Sequence, residues 1–187
     1  SKVLGSALGQ DKVVMKQVFE STGLPIVPYT WFYDSEYLDN KENILKEIKK
    51  IGYPVIVKPA TLGSSIGIEV AKSEEEVKIA IEEAIKYDDK ILVEEIIPNM
   101  TELNCSVLGS NSYMETSVIE QVMGNDEILS FKDKYLTSSS KKGAIKVAGS
   151  KGMASTNRII PANISEKLTK EIEETSKKAF RALGASG

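Results

Sequence analysis

Apolar and polar residues recur with two different periods along this chain, and each period predicts a kind of element. Between residues 11 and 21, Val14, Val18 and Phe19 fall at helical spacing, and Thr22-Gly23-Leu24-Pro25 then stops the run, so a helix closed by a glycine and a proline is expected. A strand over residues 26–32 should follow. Residues 40–51 carry Ile44, Leu45, Ile48 and Ile51 on one helical face, ended by Gly52. The apolar run after it reads as a strand that delivers Lys58, and residues 66–71 alternate as a second strand. Ser73-Glu74-Glu75-Glu76 has the form of a capping box opening a helix with Val77, Ala80, Ile81, Ala84 and Ile85 inward, which should finish near Tyr87-Asp88-Asp89. Ile91-Leu92-Val93 reads as another strand with Glu94 and Glu95 at its exit.

The second half has a different texture. Residues 102–109 and 114–122 look like antiparallel strands joined by a polar turn at 110–112, which implies a sheet-rich lobe. Residues 124–157 are rich in Ser, Lys and Gly and far longer than the usual connection of about 4–6 residues, the mark of a functional or disordered loop. Residues 158–161 read as a short strand. Ser165 then caps a last helix with Leu168, Ile172, Ala179 and Leu183 along one face. The fold class is therefore mixed α/β.

Composition narrows the function. A chain of 187 residues with 41% hydrophobic content can bury a real core, as one large domain or two small ones. A net charge of −3 argues against a basic nucleic-acid-binding surface. No apolar run approaches the roughly 20 residues of a membrane span, and the first residues lack the apolar core of a signal peptide. A cytoplasmic location, with no membrane and no nucleic-acid partner, is the expectation. Cys105 has no second cysteine to pair with and sits in a strand-like segment, where an inert half-buried thiol is expected. The chain has no histidine, which removes Ser-His and Cys-His nucleophiles and most zinc chemistry. Chemistry must come from lysine, carboxylate, hydroxyl and backbone groups.

Those groups concentrate in one place. The strand ending in Lys58 runs into Gly63-Ser64-Ser65-Ile66-Gly67, a turn whose backbone N–H groups and two hydroxyls suit a polyphosphate, with glycines allowing close approach. The lysine precedes the glycines, so the P-loop pattern is absent. A lysine at a strand end is ordinarily a solvated surface residue, and the turn behind Lys58 is what argues otherwise. Lys12, at the start of a predicted helix, is unfavourable for the helix dipole and hints at an anion nearby. Glu94 and Glu95 would, on their own, be read as the polar exit of a strand.

Four blocks carry a resemblance: G-S-A-L-G-Q-D-K at 5–12, G-Y-P-V-I-V-K-P-A-T-L-G-S-S-I-G-I at 52–68, Y-D-D-K-I-L-V-E-E at 87–95, and I-I-P-A-N-I-S with K-A-F-R-A-L-G near the end. In that order they resemble the D-alanine–D-alanine ligase family of ATP-grasp enzymes, with its D-serine and D-lactate relatives. The double-serine turn is the specific element. The resemblance implies an ATP-grasp fold of two lobes with ATP between them: a connecting segment at 1–10, a central lobe at 11–95, and a partial C-terminal lobe at 96–187 with a mobile loop near 124–157.

Carried over residue by residue, the resemblance implies that Lys12 and Lys58 contact the ATP phosphates, and that Gly63, Ser64 and Ser65 cap them. Ser64 also resembles a serine in a hydrogen-bonded network with the mobile loop. Glu94 matches an adenine-side acid, the backbone of Glu95 and Ile97 a hinge against the adenine edge, and Glu102 a ribose carboxylate. Lys134 would reach the transferred phosphoryl group and Tyr135 would close over the substrate, giving Ser64, Lys134 and Tyr135 as catalytic candidates. Lys132 and Asp133 stand where the family often has an acidic residue and an alanine, which bears on loop chemistry and acceptor choice.

The implied reaction joins D-alanine to D-alanine, D-serine or D-lactate through an acyl phosphate, using ATP and Mg²⁺ or Mn²⁺, for peptidoglycan precursor synthesis. The family's N-terminal substrate domain and C-terminal metal-binding segment have no counterpart in these residues, so no metal ligand is expected among them, and an ATP-binding core inactive in isolation is. Dimerisation, common among relatives, would involve that N-terminal domain. Two alternatives stand beside this reading: an ATP-grasp carboxylate–amine ligase with another acid substrate, and a non-catalytic nucleotide-binding module.

Overall fold

In the computed structural model, which describes residues 1–123 and 157–187, the first half is organised by an antiparallel sheet of order β1-β4-β2-β3. These strands are β1 Tyr29–Tyr33, β2 Val55–Pro59, β3 Glu69–Ala71 and β4 Lys90–Glu95. Strand alternation sends Val55, Val57, Ile91 and Val93 to one face, where they meet α3 (Asp34–Ile51) and α4 (Glu74–Ala84). Val55, Val57, Ile91, Val93, Ile48, Val77 and Ile81 are each under 2% exposed. Each contributes about 1.5–3 kcal/mol through burial. The opposite face carries Leu92, packed with Ala60 and with Val13 of α2 (Lys12–Ser21), and flanked by Tyr29 and Trp31. That second face forms the site.

The helices follow the sequence pattern with informative differences. Val77, Ala80, Ile81 and Ala84 of α4 are all buried, as their spacing requires. Ser73 Oγ accepts from the Glu76 N–H at 3.2 Å, but the Glu76 carboxylate reaches back to the Lys72 N–H at 2.8 Å rather than to that of Ser73. The box is thus displaced by one residue at its return bond. α3 begins at Asp34, six residues before the expected start, and bends at Asn40, where φ is −139° and ψ 34°. Its first turns are anchored by Tyr37, 3% exposed and stacked on Phe32 at 5.6 Å, and by the Glu36 carboxylate accepting the Tyr33 N–H at 2.8 Å. The polar run Asp34-Ser35-Glu36 concealed that start.

Residues 3–10 form a helix, α1 (Val3–Gln10). In the second half the expected strand over 102–109 is two strands, β5 Glu102–Asn104 and β6 Val107–Ser110, and the one over 114–122 is β7 Tyr113–Thr116 and β8 Glu120–Met123. β5 pairs with β8, which pairs with β9 (Asn157–Ile159), whereas β6 and β7 form a separate hairpin. The switch of partner falls at Cys105-Ser106, where Ser106 and Ser117 exchange hydrogen bonds of 2.9 and 3.0 Å. α5 (Glu166–Ala182) is capped by Ser165, whose Oγ accepts from the Leu168 N–H at 3.2 Å. The end of α5 approaches α1 so closely that a Cβ on Gly5 would lie 3.1 Å from the Leu183 and Gly184 carbonyl oxygens. Among the described residues, no helix is long and apolar enough to cross a membrane.

Candidate functional site

Antiparallel register assembles the site from β2 and β4. Lys58 lies opposite Leu92 and Ile56 opposite Glu94, so Lys58 and Glu94 are diagonal neighbours on one face. The Lys58 ammonium donates to Glu94 Oε1 in a close ion pair. Tyr29 of β1 lies opposite Glu94 on the other side. Above this face runs α2, with Lys12, Met15, Lys16 and Phe19 directed at it by their i, i+3, i+4, i+7 spacing. Lys16 Nζ donates to Glu94 Oε2 at 2.8 Å and lies 5.0 Å from the centroid of the Tyr29 ring. Together with Pro25, Ile26 and Val27 these side chains line a cleft of about 330 Å³. A wider hollow of about 530 Å³ is bounded by Glu20, Thr30, Glu47 and Lys50 among others, two carboxylates against one ammonium group, a balance that does not suit an anion.

The charge balance in the cleft favours an anion. Three ammonium groups face one carboxylate, and Glu94 is only 8% exposed, so it is no polar strand exit. Burial raises the Glu94 pKa, but the attraction of Lys58 and the bonds from Lys16 and Lys58 outweigh it and leave the carboxyl below its ordinary value. The Lys12 ammonium moves down, first through burial and then through the repulsion of Lys58, against the weaker pull of Asp88, Asp11 and Glu94. An incoming polyanion would relieve that repulsion.

Lys12 does a second task. As the first residue of α2 it donates to the carbonyls of Pro59, at 3.1 Å, Ala60, at 3.2 Å, and Leu62, closing the chain that leaves β2. Asp88 holds the same segment from the other side, accepting the Thr61 N–H at 2.7 Å and the Thr61 hydroxyl at 2.8 Å. The turn beyond is therefore presented from a fixed stem. Ser64 and Ser65 both have left-handed φ, 55° and 60°, and are the central pair of a tight turn closed by the Ile66 N–H donating to the Gly63 carbonyl at 3.2 Å.

The two glycines of this turn are not equivalent. Gly67 has φ +66°, and an added Cβ would lie 2.8 Å from Pro59 Cγ and 2.9 Å from Tyr87 Cδ2, whereas nothing lies within 4 Å of a Cβ on Gly63. Gly67→Ala is expected to destabilise the protein by about 1–3 kcal/mol through backbone strain and overlap, and Gly63→Ala by less than about 0.5 kcal/mol. Urea unfolding of the two variants checks this. Equal losses would mean that both glycines answer to the same constraint.

Of the other expected site residues, Glu95 ends β4 and donates its N–H to the Pro28 carbonyl at 3.0 Å, and Ile97 follows, half exposed. Glu102 lies on β5, opposite Val122, in a different sheet from Glu94. Lys134 and Tyr135 lie outside the described residues. Lys16 is the cleft residue that the sequence reading passed over. Its signal was present, one helical turn after Lys12 on the same face. Among the described residues, no group of three His, Cys, Asp or Glu side chains converges to hold a metal ion.

Residues 18–187 match the family model described as D-ala D-ala ligase C-terminus. The D-alanine–D-alanine ligase of Staphylococcus haemolyticus is 39% identical over 186 residues, 99% of this chain and 47% of that protein. That of Acetivibrio thermocellus is 38% identical over 99% of this chain and 45% of the relative. The chain spans about half the length of the curated relatives it matches. Among solved structures, the VanG D-Ala:D-Ser ligase from Enterococcus faecalis superposes with a TM-score of 0.75 at 27% identity, over 98% of this chain and 47% of that one. The D-alanine–D-alanine ligase from Coxiella burnetii shares the fold at a TM-score of 0.70 and 22% identity, over 97% and 42%. The fold is the ATP-grasp fold expected from the motifs, and the chain belongs to the D-alanine–D-alanine ligase C-terminal family.

Proposed function

We propose that this segment binds ATP for a ligase that joins D-alanine to a second D-amino or D-hydroxy acid, in peptidoglycan precursor synthesis. The observation that carries the reading is the convergence of Lys12, Lys16, Lys58 and Glu94 on one cleft, with the chain that enters the Ser64-Ser65 turn tied to Lys12 through the Leu62 carbonyl. An excess of ammonium groups suits a triphosphate, and a buried carboxylate suits the exocyclic amine of adenine, which offers N–H donors. Lys58 takes the phosphates together with Lys12, whose amine must turn from the Pro59, Ala60 and Leu62 carbonyls to reach them, Ser64 and Ser65 cap them, and Glu102 takes the ribose hydroxyls. At the hinge, Glu95 already spends its N–H on Pro28, so its carbonyl is the group left to accept from adenine, with the Ile97 N–H as donor. Lys134 is assigned to the transferred phosphoryl group and Tyr135 to the substrate.

In this reading the carboxylate of D-alanine attacks the γ-phosphorus of ATP, ADP leaves, and the acyl phosphate forms. The amine or hydroxyl of the acceptor then attacks the acyl carbon and phosphate leaves. Catalysis of such steps is largely alignment and neutralisation of charge, which lysines supply. No step is assigned to a metal ion, because no described group fits one. The test is ADP release by the complete gene product with D-alanine alone and with D-serine or D-lactate added. Release that depends on D-alanine is expected, and the best second substrate names the acceptor. ATP binding without D-alanine-dependent release would favour a nucleotide-binding module or a ligase of another acid.

A further inference from the structure

Glu94 divides its two oxygens between two lysines that cannot both keep them. Lys58 holds Oε1 and Lys16 holds Oε2, the latter at 2.8 Å. Lys58 extends from the strand that leads into the Ser64-Ser65 turn, whereas Lys16 extends from α2 with its amine against the Tyr29 ring. When a triphosphate enters, the phosphate oxygens are stronger attractors for Lys58 than a carboxylate already shared with another cation. Lys58 then leaves Oε1. Lys16 faces Glu94 and the Tyr29 ring, on the side of the carboxylate away from the turn, and its side chain is 12% exposed.

We infer that Lys16 is the positioning residue for purine selection, holding Glu94 through Oε2 so that Oε1, vacated by Lys58, is aimed as an acceptor at the exocyclic amine of the base. The inference rests on the adenine-side reading of Glu94. Without Lys16, the carboxylate would lose its remaining cation at the moment Lys58 departs. Buried beside Tyr29 and Leu92, it would then rotate after Lys58 or take up a proton, and an O–H aimed at an amine no longer selects for one. Lys16 touches neither base nor phosphate in this scheme. It acts through Glu94, and its effect appears in which purine binds.

The test compares ATP with ITP, in which a carbonyl oxygen replaces the amine, by calorimetric titration of this 187-residue chain. Loss of one cation from the cleft lowers the affinity for both triphosphates together, so the ATP/ITP ratio isolates the positioning role. A charge-assisted hydrogen bond corresponds to a preference for ATP of about 10–100-fold in the unmodified chain. Lys16→Met should lower the preference for ATP by about tenfold, the remainder being set by the Glu95 carbonyl and the Ile97 N–H at the hinge, and Lys16→Arg should restore most of it. Lys16→Gln, which retains a donor without a charge, serves if the methionine variant does not fold, and should show the same drop. A folded Lys16→Met or Lys16→Gln protein that keeps the preference overturns the inference while leaving Glu94 as the adenine acceptor. An unmodified chain that binds both triphosphates equally overturns the reading of Glu94 and this inference with it.

Discussion

Glu94→Ala should destabilise the folded protein by about 3 kcal/mol, the largest effect expected of any single change in the cleft. The carboxylate is 8% exposed and accepts from Lys58 and Lys16, and its charge also supports the ammonium of Lys12. Removing it leaves those ammonium groups facing one another across partly desolvated space. Breaking a buried pair by deleting one partner costs about 3–5 kcal/mol. The lower end applies here, because Lys58 keeps 20% of its side chain exposed and can turn its amine to water. Urea unfolding at neutral pH measures the loss, and a change below about 0.5 kcal/mol would show that the ion pairs contribute nothing net.

The same carboxylate predicts an acid dependence. Its pKa is lower in the folded protein than the unfolded value of about 4.3. The unfolded chain therefore binds the proton first as pH falls. The contribution of Glu94 to stability is complete above that unfolded value and is lost progressively as pH falls through the folded pKa. Glu94→Gln should be less stable than the unmodified protein at neutral pH, with the gap closing as pH falls below the unfolded value.

Lys58→Ala should weaken ATP binding by about 10–100-fold, the range set by one charged hydrogen bond to phosphate. The phosphate loses a charged donor, and this outweighs the one effect that acts the other way, which is that no Lys58–Glu94 pair has to be broken for the triphosphate to enter. Part of the difference should disappear at high salt, since the electrostatic share is screened while the hydrogen-bond geometry is not. Calorimetric titration with Mg-ATP, accompanied by an unfolding curve for the variant, separates lost binding from lost structure. Unchanged affinity in a folded Lys58→Ala protein would falsify the assignment of Lys58 to the phosphates.

Much of this was written along the chain because it depends on neighbours in sequence. The inward face of α4 follows from the spacing of Val77, Ala80, Ile81 and Ala84, and the delivery of Lys58 at a strand end follows from the short apolar run before it. The motif order around Lys58 and the double serine identified the family without reference to any contact. Where burial did not follow a local period, the reading fell short. α3 starts at Asp34 because Tyr37 finds Phe32, a partner on the preceding strand, and the polar residues between them carry no apolar period.

The remaining features belong to tertiary structure alone. Residues 102–109 form two strands rather than one because their partners change from β8 to β7, and a choice of partner leaves no trace in the alternation of one strand. Gly63 and Gly67 look alike in sequence, yet only Gly67 is pressed against Pro59 and Tyr87, a contact set by how the turn folds back on its own stem. Apart from the resemblance, Glu94 and Glu95 read alike as strand-exit acids, and strand register turned one into the cleft and left the other exposed. Lys16 could be placed on the face of Lys12 from spacing, but not beside Glu94. Local periodicity decides which way a side chain points from its own element. What it meets there depends on the packing of elements distant in sequence, and at this site that packing sets three lysines around one carboxylate.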